Sequence, residues 1–154
     1  MKAYHKILIG GQPAAELREA TASGAVTPGM LCEYDGDHDD EILQAHSEAG
    51  GVSQCVVADL APYSGDPRSD DSPIEDAYAD GEGMKAFIPN PGNRCLLLLA
   101  SGENVTEDTP LVSAGNGHVA AYNDADDDSA GVMFVARHAV DASAGVERIV
   151  AEKL

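Results

Sequence analysis

The chain has 154 residues, 44% of them apolar, which is enough for a real core but not for two large ones. It carries 27 Asp and Glu against 9 Lys and Arg, a formal net charge of -18. That balance is the reverse of the basic footprint that binds phosphates or anionic lipid, so nucleic acid and membrane surfaces are excluded as expected partners.

With no Trp and two Phe, the core has to come from Val, Leu, Ile and Ala, which suits thin layers of sheet better than bulky helices. The acids lie between apolar runs, so the expectation is a folded domain with an acidic surface. Such a surface repels itself in dilute buffer and is relieved by salt, which points to a saline environment. Three cysteines, Cys32, Cys55 and Cys95, form no CxxC pair, and each sits in an apolar run where Cys serves as a small buried hydrophobe. No signal peptide is expected from Met1-Lys2-Ala3-Tyr4-His5-Lys6, and no run approaches the ~20 apolar residues that span a bilayer.

In chain order, residues 3–9 read as a strand ended by Gly10-Gly11. Residues 13–20 combine good helix formers after a proline with no clear apolar face, leaving a short helix or an arm open. From Val26 the pattern becomes short apolar runs punctuated by Gly, Pro and Asp, which is an all-β signature. Thr27-Pro28-Gly29 is a turn before a strand over 30–35, with returning strands at 41–46 and 54–60. Residues 61–83 form a long polar connection, where Ser72-Pro73-Ile74-Glu75 fits a capping box and predicts a turn or two of helix over 73–79. Strands follow at 84–89 and 93–100, the second holding Leu96-Leu97-Leu98-Leu99 as a strand covered on both faces. Gly115-Asn116-Gly117 makes a hairpin between 110–114 and 118–122. After an acidic loop at 123–130 come strands at 132–136 and 146–152. Val26-Thr27 and Val105-Thr106 each precede a turn and a strand, so a two-fold repeat of a small β unit is open. The expected architecture is a compact β-sandwich or small β-barrel: a strand and arm over 1–25, then one β domain over 26–154 carrying the 61–83 loop.

Chemistry-bearing patterns fail on inspection. Asp35, Asp37 and Asp39 alternate like the first ligands of an EF-hand, but Asp40 and His46 stand at the sixth and twelfth positions. Asp124, Asp126 and Asp128 fail likewise at Ser129 and Val135. The histidines, His5, His38, His46, His118 and His138, show no HxH or HExxH spacing. There is no Gly-x-Ser-x-Gly elbow, and Gly10-Gly11-Gln12-Pro13 lacks the spacing and lysine of a phosphate loop. No catalytic residue, metal site or cofactor is assigned, and the chain is not expected to be an enzyme.

Val26-Thr27-Pro28-Gly29-Met30-Leu31 followed by Glu33, and Ala49-Gly50-Gly51 before a strand over 54–58, are the first of five segments that resemble, in order and spacing, those of the capsid decoration (cement) proteins of tailed phages and related viruses, where the first reads TPG-x-L-x-E. Ile74-Glu75-Asp76-Ala77-Tyr78-Ala79-Asp80-Gly81-Glu82 resembles I-D-D-A-Y-x-x-G-D/E. Leu99-Ala100-Ser101-Gly102-Glu103-Asn104-Val105 and Leu111-Val112-Ser113-Ala114-Gly115-Asn116-Gly117 complete the series. Glu107-Asp108-Thr109-Pro110 departs from the usual Gly-Asp pair, and the stretch from Asp66 to Pro73 is longer than in the family.

The resemblance implies a homotrimer on the outer surface of an icosahedral shell, at three-fold and quasi-three-fold positions. Its partners would be the major capsid protein and its own copies, and the acidity suggests a haloarchaeal tailed virus. Residues 2–20, with Tyr4, His5, Leu17 and Arg18, are the expected contact with the shell or with neighbouring subunits. Ile74, Asp76, Ala77 and Tyr78 are expected to anchor the long loop, and Gly81 to turn it back. Two alternatives remain, a turret or spike-base protein for host recognition and a small acidic enzyme.

Overall fold

Short aliphatic runs with glycine and proline between them close into two small barrels, related by the same order of strands. A computed structural model describes residues 6–11, 14–36, 41–51, 55–60, 73–123 and 131–154. The first barrel comprises β2 (Glu16–Ala22), β3 (Leu31–Tyr34), β4 (Ile42–Ala45), β5 (Val56–Ala58) and β6 (Gly83–Ile88), and it closes in the order β2-β4-β3-β5-β6. The second comprises β7 (Arg94–Leu99), β9 (Pro110–Ser113), β10 (Val119–Ala121), β11 (Phe134–Ala136) and β13 (Glu147–Lys153). It runs β7-β10-β9-β11-β13 and is closed by pairing of β13 with β7. A strand β1 (Leu8–Gly10) lies antiparallel on β7, and a ribbon joins β8 (Asn104–Val105) to β12 (Val140–Asp141).

The repeat extends to register. One neighbouring pair in each barrel is parallel, β2 with β4 and β7 with β10, and the remaining neighbours are antiparallel. Cys32 faces Val56 and Ala45 in the first barrel, as Leu111 faces Phe134 and Ala121 in the second. The isolated bridge Val26–Tyr78 holds the place of Val105–Val140. The echo at Val26-Thr27 and Val105-Thr106 therefore marks a duplicated unit.

Side chains on the first barrel's strands alternate between two cores. Ala22, Cys32, Leu43, Val56, Ala58, Met84 and Ala86 form its own cluster with Val26 and Tyr78. The intervening Leu31, Val57 and Phe87 turn the other way and join the larger cluster of the second barrel, with Ile7, Ile74, Leu96, Leu97, Leu111, Phe134 and Ile149. Phe87, Val57 and Leu96 are fully buried, and each such side chain contributes about 1.5–3 kcal/mol by leaving water. This two-sided burial explains why 55–58 and 96–99 are apolar without alternation.

The all-β architecture agrees with the sequence reading, and the strands after Val26 fall where the punctuation put them. Residues 13–20 do not. Instead of a helix or an arm, Glu16–Ala22 is β2, paired along its length with β6 and at Thr21 and Ala22 with β4. Helix propensity there is overridden by the ladder to β6 and by Ala20 and Ala22 reaching the first core. β2 therefore belongs to the barrel body. The predicted helix over 73–79 reduces to one 3-10 turn, Pro73–Glu75. The Asp-rich segments 37–40 and 124–130 lie outside the described residues.

Candidate interaction surface

The predicted contact residues divide. Tyr4 and His5 lie outside the described residues, while Leu17 and Arg18 are consecutive on β2 and face opposite ways. Leu17 is 72% exposed. Arg18 is paired with Glu16 at 2.9 Å. Leu17, Arg18 and Glu19 border, with Asp59, Lys85 and Ala86, a depression of 400 Å³ across β2, β6 and the end of β5.

The loop motif is fastened at several points. Tyr78 is buried, exchanges backbone hydrogen bonds with Val26 (2.8 and 3.1 Å) and donates its hydroxyl to Asp59 O at 2.8 Å. Ile74 is buried, and its carbonyl accepts from the Arg148 guanidinium. Gly81 turns the chain with φ +79° while its N–H donates to Ala22 O at 2.8 Å. Asp76 is half-buried and Ala77 is exposed, so neither is part of the buried core. Asp80, which the sequence reading left out, accepts from Gly24 N–H at 2.8 Å.

Two polar joints between the barrels left no signal in the sequence. Arg148 of β13 also donates to Pro28 O at 2.5 Å, so one guanidinium holds both the 27–29 turn and the 73–75 turn. Burial lowers the Arg148 pKa, and the carboxylate of Glu75 works against that shift. The second joint is His46, whose Nδ1 lies 2.8 Å from Ser113 Oγ and whose Nε2 lies 3.7 Å from Glu33 Oε2. Burial raises the Glu33 pKa, but hydrogen bonds from Ser47 and Gln44 and the nearby His46 outweigh it and hold the carboxyl below its usual range. Backbone bonds flank the joint, from Gly50 N to Ser113 O at 2.8 Å and from Leu31 N to Gly117 O at 2.7 Å.

A carboxylate, an imidazole and a hydroxyl in line resemble a nucleophile relay. Here Ser113 is 1% exposed, and its oxygen also accepts from Gly115 N–H at 3.1 Å. The hydroxyl is held inside the barrel junction, where it satisfies the imidazole. The cysteine thiols are equally withdrawn: burial pushes Cys32 and Cys55 up to about 12 and Cys95 up as well. An open depression of 440 Å³ between Ala49–Gly50 and Ala120–Asn123 contains one carboxylate, Glu103, which accepts from Ala121 N–H at 3.0 Å. Among the described residues no group of three or more His, Cys, Asp or Glu could hold a metal ion, and no helix is long and apolar enough to cross a membrane.

No protein-family model matches the sequence, and no curated protein matches it. Among solved structures the chain is similar to the N base of the head fiber gp8.5 in bacteriophage phi29, with a TM-score of 0.55 and 14% identity. The alignment covers 92% of this chain and 98% of that one. At that identity the likeness is one of fold, and it extends over both barrels.

Proposed function

We propose that the chain is a structural virion protein that binds the outside of an icosahedral capsid and holds neighbouring capsomers together. The observation that carries this reading is the shared fold with a phage head fiber base over 92% of the chain. The ordered motifs between residues 26 and 120 add to it. The physics suits the role: two barrels locked through Arg148 and His46 make a stiff block with little internal freedom to lose on docking. As a trimer at three-fold and quasi-three-fold positions, each subunit would add a modest contact and the assembly would gain by avidity. Binding only the mature lattice stabilises it by mass action. The polar groups act as joints, so the chain performs no chemistry in this reading, and it functions in a virion exposed to high salt.

The test is reconstitution. Purified chain is added to mature capsids that lack it, and the particles are imaged and heated. The expected result is added density at three-fold and quasi-three-fold positions and a higher temperature of capsid disruption. Chain that stays free of the particles would refute the reading. The head fiber likeness also favours a second reading, a spike base for host recognition, and density confined to five-fold vertices would select it.

A further inference from the structure

The two barrels differ at one edge. In the second barrel β7 has β13 along one side, while its other side is shared by β10 at Leu99 and by β1 at Arg94 and Cys95. There Ala100 N–H bonds Val119 O at 2.9 Å, and four residues earlier Leu96 N–H bonds Ile7 O at 2.7 Å.

β2 is the counterpart of β7. Ser23 N–H bonds Leu43 O at 2.8 Å as Ala100 bonds Val119, which puts Glu19 in the place of Leu96. Thr21 N–H reaches Glu41 O at 2.7 Å on that same side, whereas Ala22 N–H turns to Glu82 O beyond β6. Hydrogen-bonding direction alternates along a strand in an antiparallel ladder, so the amides of Glu19 and Leu17 point to the side of Thr21. Among the described residues no strand pairs with β2 there, since β4 reaches only Thr21 and Ala22. Among the described residues nothing in the first barrel fills the slot that β1 fills in the second, and Leu17 stands 72% exposed beside it.

We infer that the open edge of β2 at Leu17–Glu19 takes an extended segment of the shell protein, antiparallel to β2 as β1 is to β7. Strand addition of this kind draws affinity from main-chain hydrogen bonds and selectivity from alternate side chains. β1 shows what fits such a slot: Lys6-Ile7-Leu8-Ile9-Gly10, a basic residue followed by aliphatic ones. Charge points to the shell rather than to a second copy. On β2 itself Glu16 and Glu19 outnumber Arg18, and a chain of net charge -18 repels its like and attracts a segment bearing Lys or Arg. The inference rests on the capsid-binding reading and names the contact within it.

The experiment measures amide exchange over residues 16–20 in the full chain, free and on mature capsids, together with capsid occupancy of two variants. Glu19→Pro removes the outward N–H and puts a ring in the path of an added strand. Leu17→Asp alters only an exposed side chain and covers the case in which the proline unfolds β2. Exchange should slow at least 10-fold on the capsid, and Leu17→Asp should lower occupancy at least 10-fold while the free protein melts as before. Wild-type chain that binds with unchanged exchange at 16–20, or a folded Leu17→Asp that binds normally, overturns strand addition and leaves capsid binding intact. Protection already present in free chain means that the slot is filled without the capsid, by a second copy if it fades on dilution and by the chain itself if it does not, and either result overturns the choice of occupant. Wild-type chain that never binds the capsid refutes both.

Discussion

Gly29 and Asp108 hold the same backbone position in the two barrels, at φ +90° and 67°, and each N–H donates at 2.8 Å to its barrel's strand, to Ala58 O and Ala136 O respectively. Asp108 is the one non-glycine residue with positive φ among the described residues. The surroundings of the two differ. A Cβ at Gly29 would come within 2.7 Å of Leu96 O and overlap the Arg148 guanidinium, whereas Asp108 is exposed and pairs with Arg137 at 3.1 Å.

The pair therefore answers differently to exchange. Gly29→Asp should destabilise by roughly 2–5 kcal/mol, combining ~1–2 for the left-handed backbone with ~1–3 for overpacking. Asp108→Gly should stay within about 1 kcal/mol of wild type, because relief of ~1–2 kcal/mol in the backbone is offset by the lost surface pair and by a freer unfolded chain. Urea midpoints of the two variants check this. Equal effects would mean that the crowding around Gly29 does not distinguish the two turns.

Arg148 should be the costliest single polar side chain to remove. Arg148→Met keeps the alkyl stem but leaves Pro28 O and Ile74 O without their donor, a loss of roughly 2–4 kcal/mol for two charge-assisted bonds. Arg148→Lys should recover little, since one ammonium lacks the planar fork that spans both carbonyls. Limited proteolysis gives an independent check: cleavage near 73–82 should accelerate in Arg148→Met well beyond any change at the β8–β12 ribbon.

The His46 joint predicts both a stability loss and a pH effect. Ser113→Ala leaves Nδ1 of the buried His46 without its partner, at a cost of ~1–3 kcal/mol. Glu33 has a folded pKa below its ordinary 4.5. The stability this brings is present above the unfolded value and is lost as pH falls through the folded one. Glu33→Gln should therefore flatten the acid limb of stability below about pH 4.5. An acid limb as steep as that of wild type would remove Glu33 from the account.

Periodicity made most of the strands legible because they are short, apolar and bounded by glycine or proline. Leu96-Leu97-Leu98-Leu99 could be read as buried on both faces from its lack of alternation, and the Gly115-Asn116-Gly117 hairpin from its turn chemistry, with positive φ on both glycines. β2 was not legible. Its inward residues are Ala20 and Ala22, too small to mark a face, and its stability comes from β6, which lies far along the chain. The candidate surface followed the same rule. Leu17 and Arg18 stood out as residues, but the edge beside them, to which no described strand pairs, appears only when β2 is set against β7. Arg148 and the pair His46–Ser113 carry no spacing signal, because each joins segments distant in sequence.

Salt supplies the last prediction. With 27 acids against 9 basic residues, self-repulsion weakens the folded state in dilute buffer. Raising NaCl from about 0.1 to 1 M shortens the Debye length from roughly 10 to 3 Å. The melting temperature should then rise by ~4–8 °C, which corresponds to about 2 kcal/mol for a chain of this size. Salt also strengthens apolar burial, so the electrostatic part has to be isolated. Glu41, Glu48 and Glu107 are exposed, and changing all three to Gln should raise stability at low salt and reduce the slope against salt. Glu103→Gln keeps an oxygen to accept from Ala121 N–H and serves as a single-charge control. If the triple variant shows the wild-type slope, repulsion among exposed acids is not what salt relieves, and the acidic surface needs another explanation.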